Sequence, residues 1–380
     1  MTNKNYSRRL DEILVESKIP GGTGLDAHKL TVKLWGKGVF RSSAKRAGSE
    51  ATSYFIRRSG QLIFSKLDFL NGAIGVIPSD LDGFQSTTDL PSFDVHSDFD
   101  PQYICNFLRR KTFYNSLRGS ARGGRKAKRV ALKQLASIEI PAVSPERQSI
   151  SIELYKSFIH GIGISDLLIK KYENLIVERR SEFFSHFVIS NCPVGELSDL
   201  VEEVKEPVLP ERDKIYREIG VRSHGRGIFL KENVTSIDVG NKRVFRVKSG
   251  CIVFNVVFAW EGAVALTGDE HVSFIASHRF PQYKLRKDAP VTLAYLKEYF
   301  ESQFGLSELE RVSPGGAGRN KTLNKSKLLK IKIPLPDSNQ IYKFVTEIDS
   351  LRNGIELLKL FQEKLINLDE SSNERFFREI

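Results

Sequence analysis

Long apolar runs are missing from this chain of 380 residues: none approaches the roughly 20 consecutive apolar residues that a membrane-spanning helix needs. The polar start, Met1-Thr-Asn-Lys-Asn-Tyr-Ser-Arg-Arg9, lacks the pattern of a secretory signal, so a cytoplasmic chain is expected. Cysteine is scarce. The three present (Cys105, Cys192 and Cys251) stand far apart, which excludes a disulfide framework and a zinc cage and suits a reducing compartment. Seven scattered histidines have no metal-ligand spacing, so no metal is expected. Catalytic motifs are missing as well. The run Gly119-Ser-Ala-Arg-Gly-Gly-Arg-Lys126 has the glycines of a phosphate loop without its Lys-Ser/Thr ending. No Asn/Asp-Pro-Pro-Tyr run marks an amino-methyltransferase that acts on a flipped base. Glu203-Val-Lys205 resembles the end of a nuclease metal site, but neighbouring carboxylates on a charged helix explain it more simply. No catalytic residue is assigned, and the chain is not expected to be an enzyme.

An apolar content of 40%, with 25 Phe and 11 Tyr, supplies enough buried surface to exclude a disordered chain. The balance of 58 basic against 46 acidic residues, a net charge of +12, suits a polyanionic partner.

The chain repeats itself. Phe55-Ile-Arg-Arg-Ser-Gly-Gln-Leu-Ile-Phe64 matches Phe245-Arg-Val-Lys-Ser-Gly-Cys-Ile-Val-Phe254 at an offset of 190, which also places Asn71-Gly72-Ala73 on Glu261-Gly262-Ala263. Trp35-Gly-Lys-Gly-Val-Phe40 matches His224-Gly-Arg-Gly-Ile-Phe229 at 189. Downstream the offset is 193, with Leu135 on Leu328, Ile140-Pro141 on Ile333-Pro334 and Gly161 on Gly354. So many matches in one order mark a tandem duplication. Each copy opens with short β-type runs broken by Gly and Pro, followed by a short helical pattern (Tyr103 to Tyr114; Thr292 to Phe304), which indicates a mixed α+β globule. A long helix then starts after a proline signal, Ser144-Pro145-Glu146 or Pro334-Leu-Pro336-Asp337.

Phe344, Ile348, Leu351, Ile355, Leu358 and Leu365 follow the four-and-three step of a coiled-coil seam, and Leu154, Phe158, Leu168, Tyr172 and Leu175 follow it less regularly. A helix over 146–188 runs roughly 60 Å and cannot bury such a stripe alone. The expected solution is an antiparallel coiled coil of the two helices, with Gly161 and Gly354 admitting close approach; two core helices packed on their own globules are the alternative. The expected division is 1–143 globule, 144–190 helix, 191–335 globule and 336–380 helix.

Between Arg109 and Lys133 the chain carries ten basic residues and no acid. Arg118, Arg122, Arg125, Lys126 and Lys128 are the candidate phosphate contacts. Arg319, Asn320, Lys321 and Lys325 are their weaker counterparts. A glycine-rich basic loop presents backbone N–H groups and guanidinium forks together, which suits phosphates, and finding it twice favours a polyanion over a merely solvated surface. Base reading calls for polar, planar or forked side chains on loops. The candidates are Trp35, Lys37 and Arg41 with His224 and Arg226, and Lys66 and Asn71 with Asn255 and Trp260; a core role for either tryptophan remains open.

In these features the chain resembles the specificity (S) subunit of type I restriction-modification systems. The resemblance rests on Trp35-Gly-Lys-Gly-Val-Phe40, Gly60-Gln-Leu-Ile-Phe64, Asp89-Leu-Pro-Ser-Phe93, Leu135 to Pro141 leading through Gln148 into a long helix, and their repeats to Gln340. It implies two target-recognition domains that read the halves of a split double-stranded DNA site, with the paired helices setting the gap. It further implies no catalysis in this chain, two methyltransferase (M) subunits as partners, and restriction (R) subunits joined through them. S-adenosylmethionine and ATP would then sit only on those partners. Phe183, Phe184, Phe376 and Phe377 are the aromatics expected at the partner-docking strips. A standalone DNA-binding relative, a fused nuclease and a protein scaffold stay open as other readings.

Overall fold

The computed structural model describes residues 6–24, 26–43, 50–118, 135–189, 192–212, 214–240, 242–315 and 321–380, the side chains of 115–118 and 188–189 excepted. The chain forms two compact units: residues 1–166 with 359–380, and residues 167–358. Each long helix is shared between the units, because its two halves bury their apolar faces in different cores.

The same four-stranded antiparallel sheet stands at the centre of each unit. In the first it runs Leu14–Ser17, Ser92–Val95, Leu62–Phe64, Ile74–Val76, and in the second Val201–Val204, Gln282–Leu285, Cys251–Phe254, Val264–Thr267. Leu62–Phe64 and Cys251–Phe254 are buried along their whole length, which is why they read as unbroken apolar runs. A helix lies against each sheet: Pro101–Leu108, started by Asp100, and Leu293–Glu301, started by Thr292. Outer strands form a five-stranded sheet in the second unit, and a three-stranded sheet plus the hairpin Leu30–Val32/Val39–Arg41 in the first. Each globule closes by pairing its first strand with the strand before the long helix, Ser7–Arg9 with Glu139–Pro141 and Val194–Glu196 with Lys332–Pro334.

The long helices are Pro145–Ile189 and Ser338–Arg378. Gln148 fastens the start of the first, its side chain donating to the Asp98 and Val143 carbonyls and accepting from the Asp100 N–H. Within each unit the helices pack antiparallel. In the first unit Leu365 lies against Gly161, where an added Cβ would sit 2.9 Å from it, and Gln362 donates to Asp166 at 2.6 Å. In the second the Tyr172 ring covers Gly354, and Phe183 stacks on Phe344 with centroids 3.9 Å apart. The two glycines therefore serve the close approach expected of them. The same helices also complete the globular cores. Phe377 packs on Tyr103 and Phe107, and Phe184 on Tyr295 and Tyr299. Seam and core packing coexist.

In the second helix Phe344, Ile348 and Ile355 are buried, with Leu351, Leu358 and Leu365 half-buried. The stripe expected in the first helix is corrected: Leu154 and Leu168 are 40% and 38% exposed, and Ile152, Ser165, Ile176 and Phe184 are buried instead. The Ser165 hydroxyl donates to the Gly161 carbonyl at 2.9 Å, so a small polar residue sits where a periodicity count seeks an apolar one.

Candidate nucleic-acid interface

The duplicated Gly-x-Gly segment forms the same loop in both units. Trp35 and Gly36 have φ of +62° and +65°, and His224 and Gly225 have +59° and +64°. A non-glycine residue is rarely left-handed, and here it occurs twice at equivalent positions. Two backbone bonds hold each loop on a 3-10 turn. The Trp35 and Gly36 N–H groups donate to the Asn71 and Gly72 carbonyls, both at 2.8 Å, and those of His224 and Gly225 to Glu261 and Gly262 at 2.8 and 3.1 Å. The hairpin is closed by Lys33 N–H to the Gly38 carbonyl at 2.9 Å, and by Arg222 to Gly227 at 3.0 Å.

This scaffold turns the variable side chains outward. Trp35 is 62% exposed, and Lys37, His224 and Arg226 are exposed too. Beside each loop a cation covers an aromatic ring, Lys33 over Phe40 at 4.2 Å and Arg222 over Phe229 at 4.8 Å. Neither cation is among the candidates that the sequence suggests, although both pairs repeat at the loop's own offset of 189. Arg41 lies 5.2 Å from the Phe84 ring. Each loop also rests on the neighbouring helix: a Cβ at Gly36 would meet Arg109, and one at Gly225 would meet the Glu301 carboxyl.

Other candidates are buried or half-buried. Asn255 is buried; its side chain donates to the Val221 carbonyl and accepts from the Val257 N–H, both at 3.1 Å, which removes it from base reading. Asn71 is half-buried and its amide donates to Asp68 at 3.2 Å, so it shapes the turn. Lys66 is half-buried, and its backbone N–H donates to the Asp89 carbonyl, which fixes the main chain and leaves the direction of its ammonium undetermined by that bond. Trp260 is half-buried, its indole N–H donating to the Val257 carbonyl at 3.1 Å and its ring covered by the Lys321 ammonium at 4.7 Å. Lys321 also pairs with Glu310, and Lys325 with Glu203 at 3.3 Å, so both cations are partly neutralised. Arg122, Arg125, Lys126, Lys128, Arg319 and Asn320 lie outside the described residues, and only the backbone of Arg118 is described.

Two of the four aromatics assigned to partner docking, Phe184 and Phe377, are turned into the cores. Phe183 and Phe376 are half-buried against them. Among the described residues no group of His, Cys, Asp and Glu could hold a metal ion, and no helix is long and apolar enough to cross a membrane.

No protein-family model and no curated protein matches the chain. Solved structures do. The HsdS subunit from Thermoanaerobacter tengcongensis is 17% identical, with 99% of this chain and 97% of that one covered at a TM-score of 0.50. A chain from a structure addressing complex assembly and conformational transition of the type I R-M system is 15% identical, with 98% and 97% covered at a TM-score of 0.57. The whole chain shares the fold of these proteins, globules and long helices alike.

Proposed function

We propose that this chain is the DNA-reading specificity subunit of a type I restriction-modification enzyme. Each globule reads one half of a split duplex site, and the long helices set the unread gap between the halves. The observation that carries this reading is the pair of loops at Trp35 and His224: one backbone, held by the same bonds, presents Trp-Gly-Lys in one copy and His-Gly-Arg in the other. A rigid scaffold with exchanged polar side chains suits two readers of different sequence. Basic residues around each loop and in the glycine-rich runs seat the globules on phosphates, so affinity falls steeply with salt. The chain supplies recognition and leaves the chemistry to its partners, the methyltransferase with S-adenosylmethionine and the ATP-driven restriction subunits, in the cytoplasm. Exposed apolar residues on the long helices replace the buried phenylalanines as docking positions. They include Ile150, Ile159, Phe361 and Leu368 in the first unit, and Leu167, Val177 and Leu357 in the second.

The test is selection of bound duplexes from a random pool by the chain together with its methyltransferase partner. Trp35→Ala relaxes discrimination in one half-site and His224→Ala in the other, each by about 1–3 kcal/mol per lost base contact. Equal relaxation of both halves by either variant, or none by both, contradicts the assignment.

A further inference from the structure

The two units repeat one another closely, yet where globule meets long helix the charges are reversed. In the first unit the globule is the cation: Arg109 makes two bonds to Asp369 of the second long helix, at 2.5 and 2.7 Å, and both side chains are largely buried. Asn373, one turn further, donates to the Asn106 carbonyl at 2.8 Å. In the second unit the globule is the anion. Glu298 and Glu301 receive Arg180 of the first long helix, at 2.7 Å for Glu298, and Arg352 of the second at 2.6 and 3.2 Å.

These positions are true equivalents. Gly36 packs on Arg109 as Gly225 packs on Glu301, and Leu365 covers Gly161 as Tyr172 covers Gly354. At the helix offset of 193, Asp369 therefore corresponds to Ile176 and Asn373 to Arg180. Exchanging the helix ends has definite consequences. The first globule, on the end that carries Ile176 and Arg180, has Arg109 facing a hydrocarbon and a second guanidinium. The second globule, on the end that carries Asp369 and Asn373, loses Arg180 and gains a third carboxylate. Like charges in a site this buried repel with little screening by water.

We infer that the two halves of this chain select each other by charge, and that each half rejects a second copy of itself. The seam is an interaction surface fitted to one occupant, the opposite half. A duplicated protein needs such a key, because the shared apolar seam alone would let like halves pair as readily as unlike ones. The inference rests on the architecture and stands whether or not the chain reads DNA.

The experiment uses the folded full-length chain with a protease site placed at Cys192. Two preparations of different isotope mass are nicked and mixed, and denaturant is raised until the labels scramble within the native pairing. After return to buffer, native mass spectrometry counts the pairs. Like-with-like pairs are expected at less than about a tenth of their statistical share. Arg109→Glu combined with Asp369→Arg keeps opposite charges within the first unit, but offers Arg180 of another copy a carboxylate. It also offers Glu298 and Glu301 of another copy a guanidinium. Like-with-like pairs are expected to rise about ten-fold in this double variant. Statistical re-pairing of the unsubstituted chain overturns the inference, as does a folded double variant with no rise. If the double variant does not fold, the unsubstituted chain decides alone.

Discussion

Arg180→Ala is expected to destabilise the second unit by about 3–5 kcal/mol, the usual result of removing one member of a buried charge cluster. Glu298 is only 1% exposed and sits with Glu301 between Arg180, Arg352 and Lys297. Burial pushes the Glu298 carboxyl up, but Arg180, Lys297 and Arg352 outweigh it and hold the group below its ordinary 4.5. A carboxylate depressed by folding contributes stability that is complete above its unfolded pKa and lost as pH falls through the folded one. The gap between the parent chain and Arg180→Ala is therefore widest near neutral pH and narrows below about pH 4.5. Urea unfolding followed by Trp260 fluorescence in a Trp35→Phe background reads the second unit alone, since each unit holds one of the two tryptophans. A gap that stays constant as the pH falls, up to the point where the parent chain itself unfolds, contradicts the role given to the cluster.

Arg57→Ala is expected to cost the first unit about 3 kcal/mol. Arg57 is 2% exposed in the sheet core. Its guanidinium donates to the Ser86 and Ser92 hydroxyls at 2.7 and 3.1 Å and to the Ser17 and Thr87 carbonyls at 2.9 and 3.3 Å. Burial pulls it down to about 10, which leaves it charged at neutral pH. Truncation removes four bonds at once and opens a void. The equivalent residue in the second unit is Val247, fully buried among apolar neighbours. Val247→Arg, with no such ring of acceptors, is expected to cost the second unit more than Arg57→Ala costs the first. Trp35 fluorescence in a Trp260→Phe background follows the first unit. Equal tolerance of both substitutions, within about 0.5 kcal/mol, is the contrary outcome.

Much of this architecture was legible in the sequence, because duplication turns weak signals into paired ones. Trp35-Gly-Lys-Gly and His224-Gly-Arg-Gly mean little singly, but together they mark a shared backbone constraint, which the left-handed Trp35 and His224 satisfy. The long helices were legible from proline starts and apolar spacing, with ends within a residue or two of those observed. What failed was the direction in which side chains point. Asn255 has the chemistry of a base reader, yet its amide closes bonds inside the fold. Phe184 and Phe377 look like docking aromatics because a helix stripe read alone does not reveal which faces the globules cover. The charge-reversed seam was invisible for a related reason. Arg109 and Asp369 lie 260 residues apart in the chain, so only the folded helix end brings them together.

The most direct measurement is the positions of modified bases in the DNA of a cell that carries this chain together with a methyltransferase subunit of the proposed kind. Two short defined sequences, separated by an unspecified stretch of constant length, are expected. A single uninterrupted recognition sequence, or two parts at variable separation, would mean that the globules are not paired readers held on a common helical spacer.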